Sequence, residues 1–167
     1  MEIIYRPVQA KDLKEIVELE ADAFHMSREM VQNDMVGRIT NYPDTFWVAE
    51  DKETNRVVGH IFGPAFAKKY IEDEIYFKNH PNRVEDDYQM ILSLAVLPEY
   101  RLNGIASHLL AKLEAVASSQ ERKALSLTCR DELINFYEKF GYQNEGTAQN
   151  LPGETLYNMV KQIKKKK

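Results

Sequence analysis

The sequence predicts an α/β fold, in which a mixed β-sheet is flanked by helices, and three observations support this class. Residues 90–110 contain an apolar run, a short loop and a helical pattern, in that order. Several other stretches have the apolar spacing of amphipathic helices, and two pairs of strand-like segments are each separated by a turn. Helices and strands that alternate along one chain pack as a sheet with helices on its faces.

The first predicted elements are a strand and two helices. Residues 2–8 are rich in branched and aromatic side chains and contain a proline, which predicts an edge strand. Asp12, with Glu15 three residues later, predicts the capped start of a helix. A second helix is predicted over residues 28–39. Its buried side would be formed by Met30, Val31, Met35 and Val36.

A hairpin and a less regular segment follow. Residues 45–50 and 56–62 are strand-like and flank a turn, which predicts an antiparallel pair. The pattern is weaker between residues 63 and 87. Aromatic residues at helical spacing predict a helix over residues 66–77, which would end near His80-Pro81.

The stretch 90–110 is the most informative. Its apolar run, residues 91–97, predicts a buried strand, and Pro98 ends it because proline has no amide hydrogen for the ladder. The loop that follows has the spacing R-x-x-G-x-A, in which Gly104 and Ala106 stand where a helical pattern begins. An uncrowded helix start has unpaired N–H groups and a positive dipole end, so it predicts an anion site. The same pattern also describes an ordinary strand-to-helix crossover.

The last third of the chain predicts a strand, a helix and a closing antiparallel pair. Residues 124–129 form the strand, and Gly141 ends the helix. The helix has apolar residues at i, i+3, i+4 and i+7, namely Leu133, Phe136, Tyr137 and Phe140. Residues 142–148 and 154–163 form the closing pair, with a turn at residues 151–153.

The totals fit one globular domain, which we expect to span residues 1–163, followed by a basic tail at 164–167. The formal net charge of -4 argues against a nucleic-acid-binding protein, although the tail alone would suit RNA or anionic lipid if it is not simply solvated. No apolar run reaches the roughly 18 residues of a membrane span, and the N-terminus lacks a signal-peptide pattern. These features predict a cytoplasmic protein that binds no membrane.

Cysteine and histidine usage excludes two kinds of site. The single cysteine, Cys129, excludes an internal disulfide framework and has no companion at metal-ligand spacing. The histidines are spread along the chain, so we expect no metal. Cys129 is expected to be a small buried residue at a strand end.

Two motifs carry a family resemblance: R-x-x-G-x-A at residues 101–106 and FYEKFGY at residues 136–142. Together they resemble the GNAT superfamily of acyl-CoA-dependent N-acyltransferases. The surrounding sequence looks most like the arylalkylamine N-acetyltransferase branch, as a bacterial-type relative. The resemblance implies the GNAT fold, with a mostly antiparallel, twisted mixed sheet, flanking helices and a splayed parallel central pair.

The resemblance also implies acetyl-CoA as cosubstrate. Its pantetheine arm would bind the backbone of the splayed strand, and its pyrophosphate would bind the amides of the loop. The implied binding residues are Leu94, Ala95, Val96, Arg101, Leu102, Asn103, Gly104, Ile105, Ala106 and Ser107. The side chain of Arg101 either adds positive charge or is merely solvated.

Tyr137 is the implied catalytic residue, because the family's motif tyrosine lies beside the thioester sulfur and protonates the departing thiolate. Its alternative role is that of a core aromatic residue. Vertebrate arylalkylamine N-acetyltransferases carry two histidines on the central strand, but Met90 and Leu92 hold these positions here. A carboxylate, an ordered water or prior neutralisation of the amine must replace them. The nearby side chains that remain candidates are Tyr88, His60 and Asp87.

The predicted reaction is transfer of an acetyl group to the primary amine of a small aralkylamine or polyamine-like acceptor, by direct attack because no positioned nucleophile is evident. Aromatic residues beside acids would suit a cationic amine, unless the acids form a solvated face. The segments expected to line this pocket contribute Phe24, Met26, Met30, Phe66, Tyr70, Tyr76, Phe77, Glu72, Asp73, Glu74, Glu85, Asp86 and Asp87. A protein lysine or N-terminal acetyltransferase and a non-catalytic acyl-CoA sensor stay open, as does a homodimer.

Overall fold

The computed structural model describes residues 1–148 and 154–164, apart from the side chain of Phe77. The turn predicted at residues 151–153 and the tail residues 165–167 lie outside the described residues. No helix in the described ranges is long and apolar enough to cross a membrane.

The helices are α1 (Leu13–Phe24), α2 (Arg28–Asn41), α3 (Glu74–Phe77), α4 (Ile105–Ser119) and α5 (Ile134–Glu138). The strands are β1 (Ile3–Pro7), β2 (Phe46–Asp51), β3 (Arg56–Phe62), β4 (Ala65–Phe66), β5 (Tyr88–Met90), β6 (Ser93–Val96), β7 (Ala124–Cys129), β8 (Gln143–Thr147) and β9 (Tyr157–Gln162). Short 3-10 turns precede α1, β2 and α5 and follow β6.

The strands form two sheets, and the chain passes directly from one sheet to the other between β5 and β6. The first sheet has the order β1-β2-β3-β6 and is antiparallel throughout. The second has the order β4-β5-β7-β9-β8, in which β5 and β7 are parallel and the other pairs are antiparallel. The predicted mixed, mostly antiparallel sheet with a parallel central pair is therefore confirmed.

The strand predicted over residues 91–97 is wrong in its bounds, because it is broken where the chain changes sheet. The Ile91 amide donates to the Ser126 carbonyl on β7 at 2.9 Å, whereas the Leu92 amide donates to the Phe62 carbonyl on β3 at 2.8 Å. The two adjacent residues therefore pair with different sheets. This break separates β6 from β7 and produces the splay.

Gly63, which follows β3, permits the close approach of the two sheets at this break. A Cβ built on Gly63 would collide with the carbonyl oxygen of Met90. A glycine is required here because the two backbones meet directly and leave no room for a side chain.

Helices cover both faces of the sheets. α1 and α2 lie on one face over a core that includes Ile16, Met35 and Phe62. α4 and α5 lie on the other face over a core that includes Leu109 and Tyr137. Successive residues of β3 alternate between these faces, as expected for a strand.

The predicted cap of α1 is wrong in its contacts. The 3-10 turn already begins at Ala10, so Asp12 lies inside the helical region and makes no side-chain cap to α1. Its carboxylate instead accepts hydrogen bonds from Arg6 at 2.8 and 2.9 Å. Glu15 accepts from the Val57 amide at 2.8 Å. The Asp12 carboxylate also accepts from the Gln9 amide at 2.8 Å, so Asp12 caps the 3-10 turn that begins at Ala10 rather than α1 itself.

Two further expectations are corrected. Residues 66–77 do not form one helix: Phe66 belongs to β4 and pairs with Tyr88, and only Glu74–Phe77 is helical. Met30 and Val36 are 60% and 50% exposed rather than buried. α2 is rotated so that its buried side includes Arg38, seven residues after Val31. Pairing with β5 and the burial of Arg38 are tertiary effects that local spacing does not encode.

Candidate active site

The edge of β6 that faces away from β3 lies at the splay. The Leu97 amide donates to the Val58 carbonyl on β3, and backbone groups of successive residues point to opposite edges of a strand. Leu94 and Val96 therefore direct their N–H and C=O groups away from β3. No strand in the described part of the chain pairs with that edge of β6. It is a row of backbone donors and acceptors available to a ligand.

The loop after β6 ends in an uncapped helix start. Gly104, the N-cap residue of α4, has a φ of 75° and no side chain to cap the helix. Ser107 Oγ donates to the Gly104 carbonyl at 2.8 Å, and no side-chain hydrogen bond caps the start of the helix. The amides of Ile105 and Ala106 belong to the first turn, which has no intrahelical acceptors. These amides lie where the sequence predicts an anion site.

The other loop residues shape this site without filling it. Leu102 adopts a φ of 65° and exposes its side chain. Asn103 Nδ2 donates to the Tyr100 and Arg101 carbonyls at 3.1 Å, which fixes the turn. Arg101 is exposed, and its Nε donates to the Val96 carbonyl at 3.3 Å. The Arg101 side chain thus lies at the junction between the loop and the free edge of β6.

Tyr137 lies on the α4/α5 face. The residue is 8% exposed, and its ring packs against those of Phe136 and Tyr142 with centroids 5.0 and 5.7 Å apart. Burial is the main cause of the raised pKa of the Tyr137 phenol, and the nearby Cys129 raises it further. The phenol therefore stays protonated, which an acid requires. Burial also raises the pKa of the Cys129 thiol to about 11, so this cysteine is not an activated nucleophile.

A buried polar cluster lies on the α1/α2 face, and the sequence analysis identified only one of its members. Ser93 Oγ donates to Glu20 Oε1 at 2.5 Å, and His60 Nε2 lies 2.9 Å from the same oxygen. Glu20, His60 and Ser93 are 7%, 0% and 4% exposed. One sequence feature could have identified Glu20: it is a carboxylate at a position of α1 where the helical spacing places apolar residues. Ser93 had no sequence signal, because its partners are distant in the chain.

The remaining base candidates are placed less favourably. Asp87 precedes β5, at the end opposite the break, and pairs with Lys123 at 3.1 Å. Tyr88 stands opposite Ala124, at the start of β7. Neither lies at the break where the two sheets separate.

Residues 67–77, here named the strap, cross the ends of the strands of the second sheet. Tyr70 donates to Glu145 on β8 at 2.6 Å, and Lys69 pairs with the same carboxylate at 2.7 Å. Burial raises the pKa of the Tyr76 phenol, and the neighbouring Thr128 hydroxyl on β7 and the charge of Arg38 reduce that rise. The strap therefore runs from β4 to β8 and places Tyr76 over β7.

The predicted pocket residues are divided by this arrangement. Phe24, Met26 and Met30 are exposed, whereas Tyr76, within the strap, is half-buried. Glu72 and Glu74 pair with Lys68 and Lys78 at the surface, which agrees with the solvated-face alternative for these acids. No group of three or more metal-binding side chains is found in the described ranges.

A sheet split beside a loop of open amides offers backbone groups that an acyl-CoA could bind. Residues 13–142 match the model of the Acetyltransferase (GNAT) family, and the chain belongs to this family. It is an acetyl-CoA-dependent acyltransferase. The free edge of β6 and the uncrowded loop fit this cosubstrate. No curated protein matches the sequence significantly.

Solved structures agree on the fold. Ard1 from Thermoplasma volcanium superposes with a TM-score of 0.76 at 19% identity, covering 99% of this chain and 100% of that one. Chaetomium thermophilum Naa20, in complex with a bisubstrate analogue, gives 0.70 at 24% identity, covering 96% and 86%. Arabidopsis thaliana Naa50, in complex with the bisubstrate analogue CoA-Ac-MVNAL, gives 0.70 at 21% identity, covering 98% and 100%. At these identities the likeness concerns the fold alone.

Proposed function

We propose that the protein acetylates the primary amine of a small aralkylamine or polyamine-like acceptor, as a relative of the arylalkylamine N-acetyltransferase branch. The observation that carries this proposal is the strap, which crosses the second sheet beside Thr128 of β7 and is tied to Glu145 of β8 through Tyr70 and Lys69. A segment tied down across the second sheet favours a compact acceptor over an extended peptide. The sequence around both motifs, which looks most like the arylalkylamine branch, supports the same acceptor class.

In this proposal, the protein binds acetyl-CoA mainly through backbone groups. The outward N–H and C=O groups of Leu94 and Val96 bond the amides of the pantetheine arm, while Ala95 completes the strand. The amides of residues 102–107 bind the pyrophosphate, with help from the helix dipole. The positive charge of Arg101 lies at the edge of this site and adds a smaller, screened attraction.

Tyr137 acts as the general acid in this proposal. Its phenol is buried on the α4/α5 face and protonated, and it donates its proton to the thiolate that leaves when the amine attacks the acetyl group. Attack is direct, because the buried Cys129 has a raised pKa and forms no acyl intermediate.

A second candidate function is acetylation of protein or peptide N-termini. Three similar structures are Ard1, Naa20 and Naa50, of which the last was solved with the peptide-containing analogue CoA-Ac-MVNAL. In this candidate the strap would have to move to admit a chain.

A panel of acceptors separates the two functions. Purified protein is mixed with acetyl-CoA and, in turn, arylalkylamines, polyamines, and peptides with free N-termini or lysines, and thiol release is measured together with product mass. We expect acetylated small amines and little peptide product. Turnover of peptides alone would contradict the proposal, and specific binding of acetyl-CoA without any turnover would indicate a sensor.

A further inference from the structure

We propose that Glu20 is the group that takes the proton from the acceptor amine, and that His60 and Ser93 position its carboxylate. This inference rests on the proposed direct attack by an amine. It gives the site two chemical sides, with Tyr137 on the α4/α5 face and Glu20 on the α1/α2 face.

The hydrogen bonds leave one carboxylate oxygen of Glu20 available. Ser93 Oγ and His60 Nε2 both contact Oε1, at 2.5 and 2.9 Å. No donor among the described residues bonds Oε2, and Glu20 keeps 7% of its surface exposed. An ionised carboxylate only accepts hydrogen bonds, so both partners donate to it when it is charged. Oε1 is therefore anchored, and Oε2 is available to a proton.

The cluster lies where the chemistry must occur. Ser93 is the first residue of β6 after the break, and it immediately precedes Leu94, whose backbone faces the splay. Burial raises the pKa of Tyr76, the hydroxyl of Thr128 on β7 lowers it, and the negative charge of Glu20 adds a smaller rise. Tyr76 is therefore near both β7 and the Glu20 cluster.

The surroundings explain why a carboxylate is kept at a position where an apolar residue would pack. A buried carboxylate is unfavourable unless it is hydrogen-bonded or paired. The groups facing Glu20 are His60 on β3, Ser93 on β6, Tyr76 in the strap and the buried Tyr42 that follows α2. The Arg38 guanidinium is buried over the Phe62 ring, 4.6 Å from its centroid, and makes no ion pair within the described ranges. Arg38 and Glu20 act on the same two phenols, those of Tyr42 and Tyr76.

The proton balance of the step is complete. Glu20 takes one proton from the ammonium form of the acceptor and leaves the neutral amine. The amine nitrogen then forms a bond to the acetyl carbon, the carbon–sulfur bond breaks, and Tyr137 gives its proton to the sulfur. The surplus nitrogen proton returns to the Tyr137 phenolate through solvent, and Glu20 releases its proton to bulk water. The products are the N-acetyl amine, the free thiol and one proton.

The test compares Glu20→Gln with Glu18→Gln, since Glu18 lies on the same helix but is exposed. We expect Glu20→Gln to lower kcat/KM about 100-fold for a strongly basic alkylamine, the scale of a lost general base. For a weakly basic amine that is neutral at the assay pH, the loss should shrink to a few-fold. Glu18→Gln should match wild type with both amines. An equal loss with both amines, or no loss, would overturn the proposal.

Two further variants keep the test decisive if Glu20→Gln lowers the melting temperature. Ser93→Ala removes a hydrogen bond that favours the carboxylate, so the low-pH decline in rate should move to higher pH. Glu20→Asp should retain part of the activity with basic amines. Unmoved pH profiles would overturn the proposal. If only peptides are acetylated, the small-acceptor proposal fails, and the same comparison is made on the peptide α-amine.

Discussion

The two faces of the split sheet differ in what they present to a ligand. On the α4/α5 face, the site consists mainly of backbone groups: the free edge of β6 and the amides before α4. On the α1/α2 face, it consists of side chains from separate elements, Glu20, His60 and Ser93. In the proposed function, backbone geometry therefore serves the cosubstrate, whereas side chains serve the acceptor.

The largest effect on turnover is expected for Tyr137, the one side chain on the α4/α5 face to which the proposed function gives a chemical role. Tyr137→Phe removes a hydroxyl and keeps the ring, so turnover should fall roughly 10- to 1,000-fold while the affinity for acetyl-CoA changes little. Because burial raises the pKa of Tyr137, this phenol should cause no decline of the wild-type rate up to its unperturbed value of about 10. Steady-state and single-turnover rates across pH measure both effects.

Tyr142→Phe is the matched control. Tyr142 is also buried in the same core, and its hydroxyl has no hydrogen-bond partner among the described residues. This variant should fold and turn over like wild type. Equal rates for Tyr137→Phe and wild type, with chemistry limiting, would make Tyr137 a packing residue.

An intermediate effect is expected in the loop. Acetyl-CoA should raise the melting temperature of the wild type, and Gly104→Glu should abolish that shift, because a carboxylate would repel the phosphates. Gly104→Ala is the control for size. No atom lies within 3.7 Å of its Cβ, so it should bind acetyl-CoA and lose about 1 kcal/mol of stability from the positive φ. A full shift in Gly104→Glu would remove the pyrophosphate site from this loop.

The smallest effect is expected for Arg101→Ala. If amides dominate binding, losing this exposed side chain should weaken the affinity for acetyl-CoA less than about tenfold, or 1.4 kcal/mol. Calorimetric titration at low and high salt measures this loss, which should shrink as salt rises. A loss far above tenfold would mean that a side chain, not the backbone, dominates this face.

The same contrast explains what the sequence could predict. The loop around Gly104 and the helix with Tyr137 are short continuous motifs, so their positions follow from local spacing. In chain order, Glu20, His60 and Ser93 are separated by 40 and then 33 residues, and they meet only through the packing of α1 on β3 and β6. No local pattern encodes that contact.

The errors in the fold have the same origin. The break between Ile91 and Leu92 depends on which strand each residue pairs with, so an apolar run looks continuous in the sequence. The strap was predicted as a helix, because its aromatic spacing is helical over 66–77. Its actual path is set by Phe66 pairing in β4 and by Tyr70 bonding Glu145 on β8. Such contacts between distant residues override local propensity.

Residue-resolved amide hydrogen exchange, measured by NMR with and without acetyl-CoA, tests most directly whether the backbone of the α4/α5 face holds this cosubstrate. We expect slower exchange at Leu94, Val96 and residues 102–107 on binding. The Ala95 amide, which already faces β3, should change little. Saturating acetyl-CoA that leaves Leu94, Val96 and the loop amides unprotected would contradict the account.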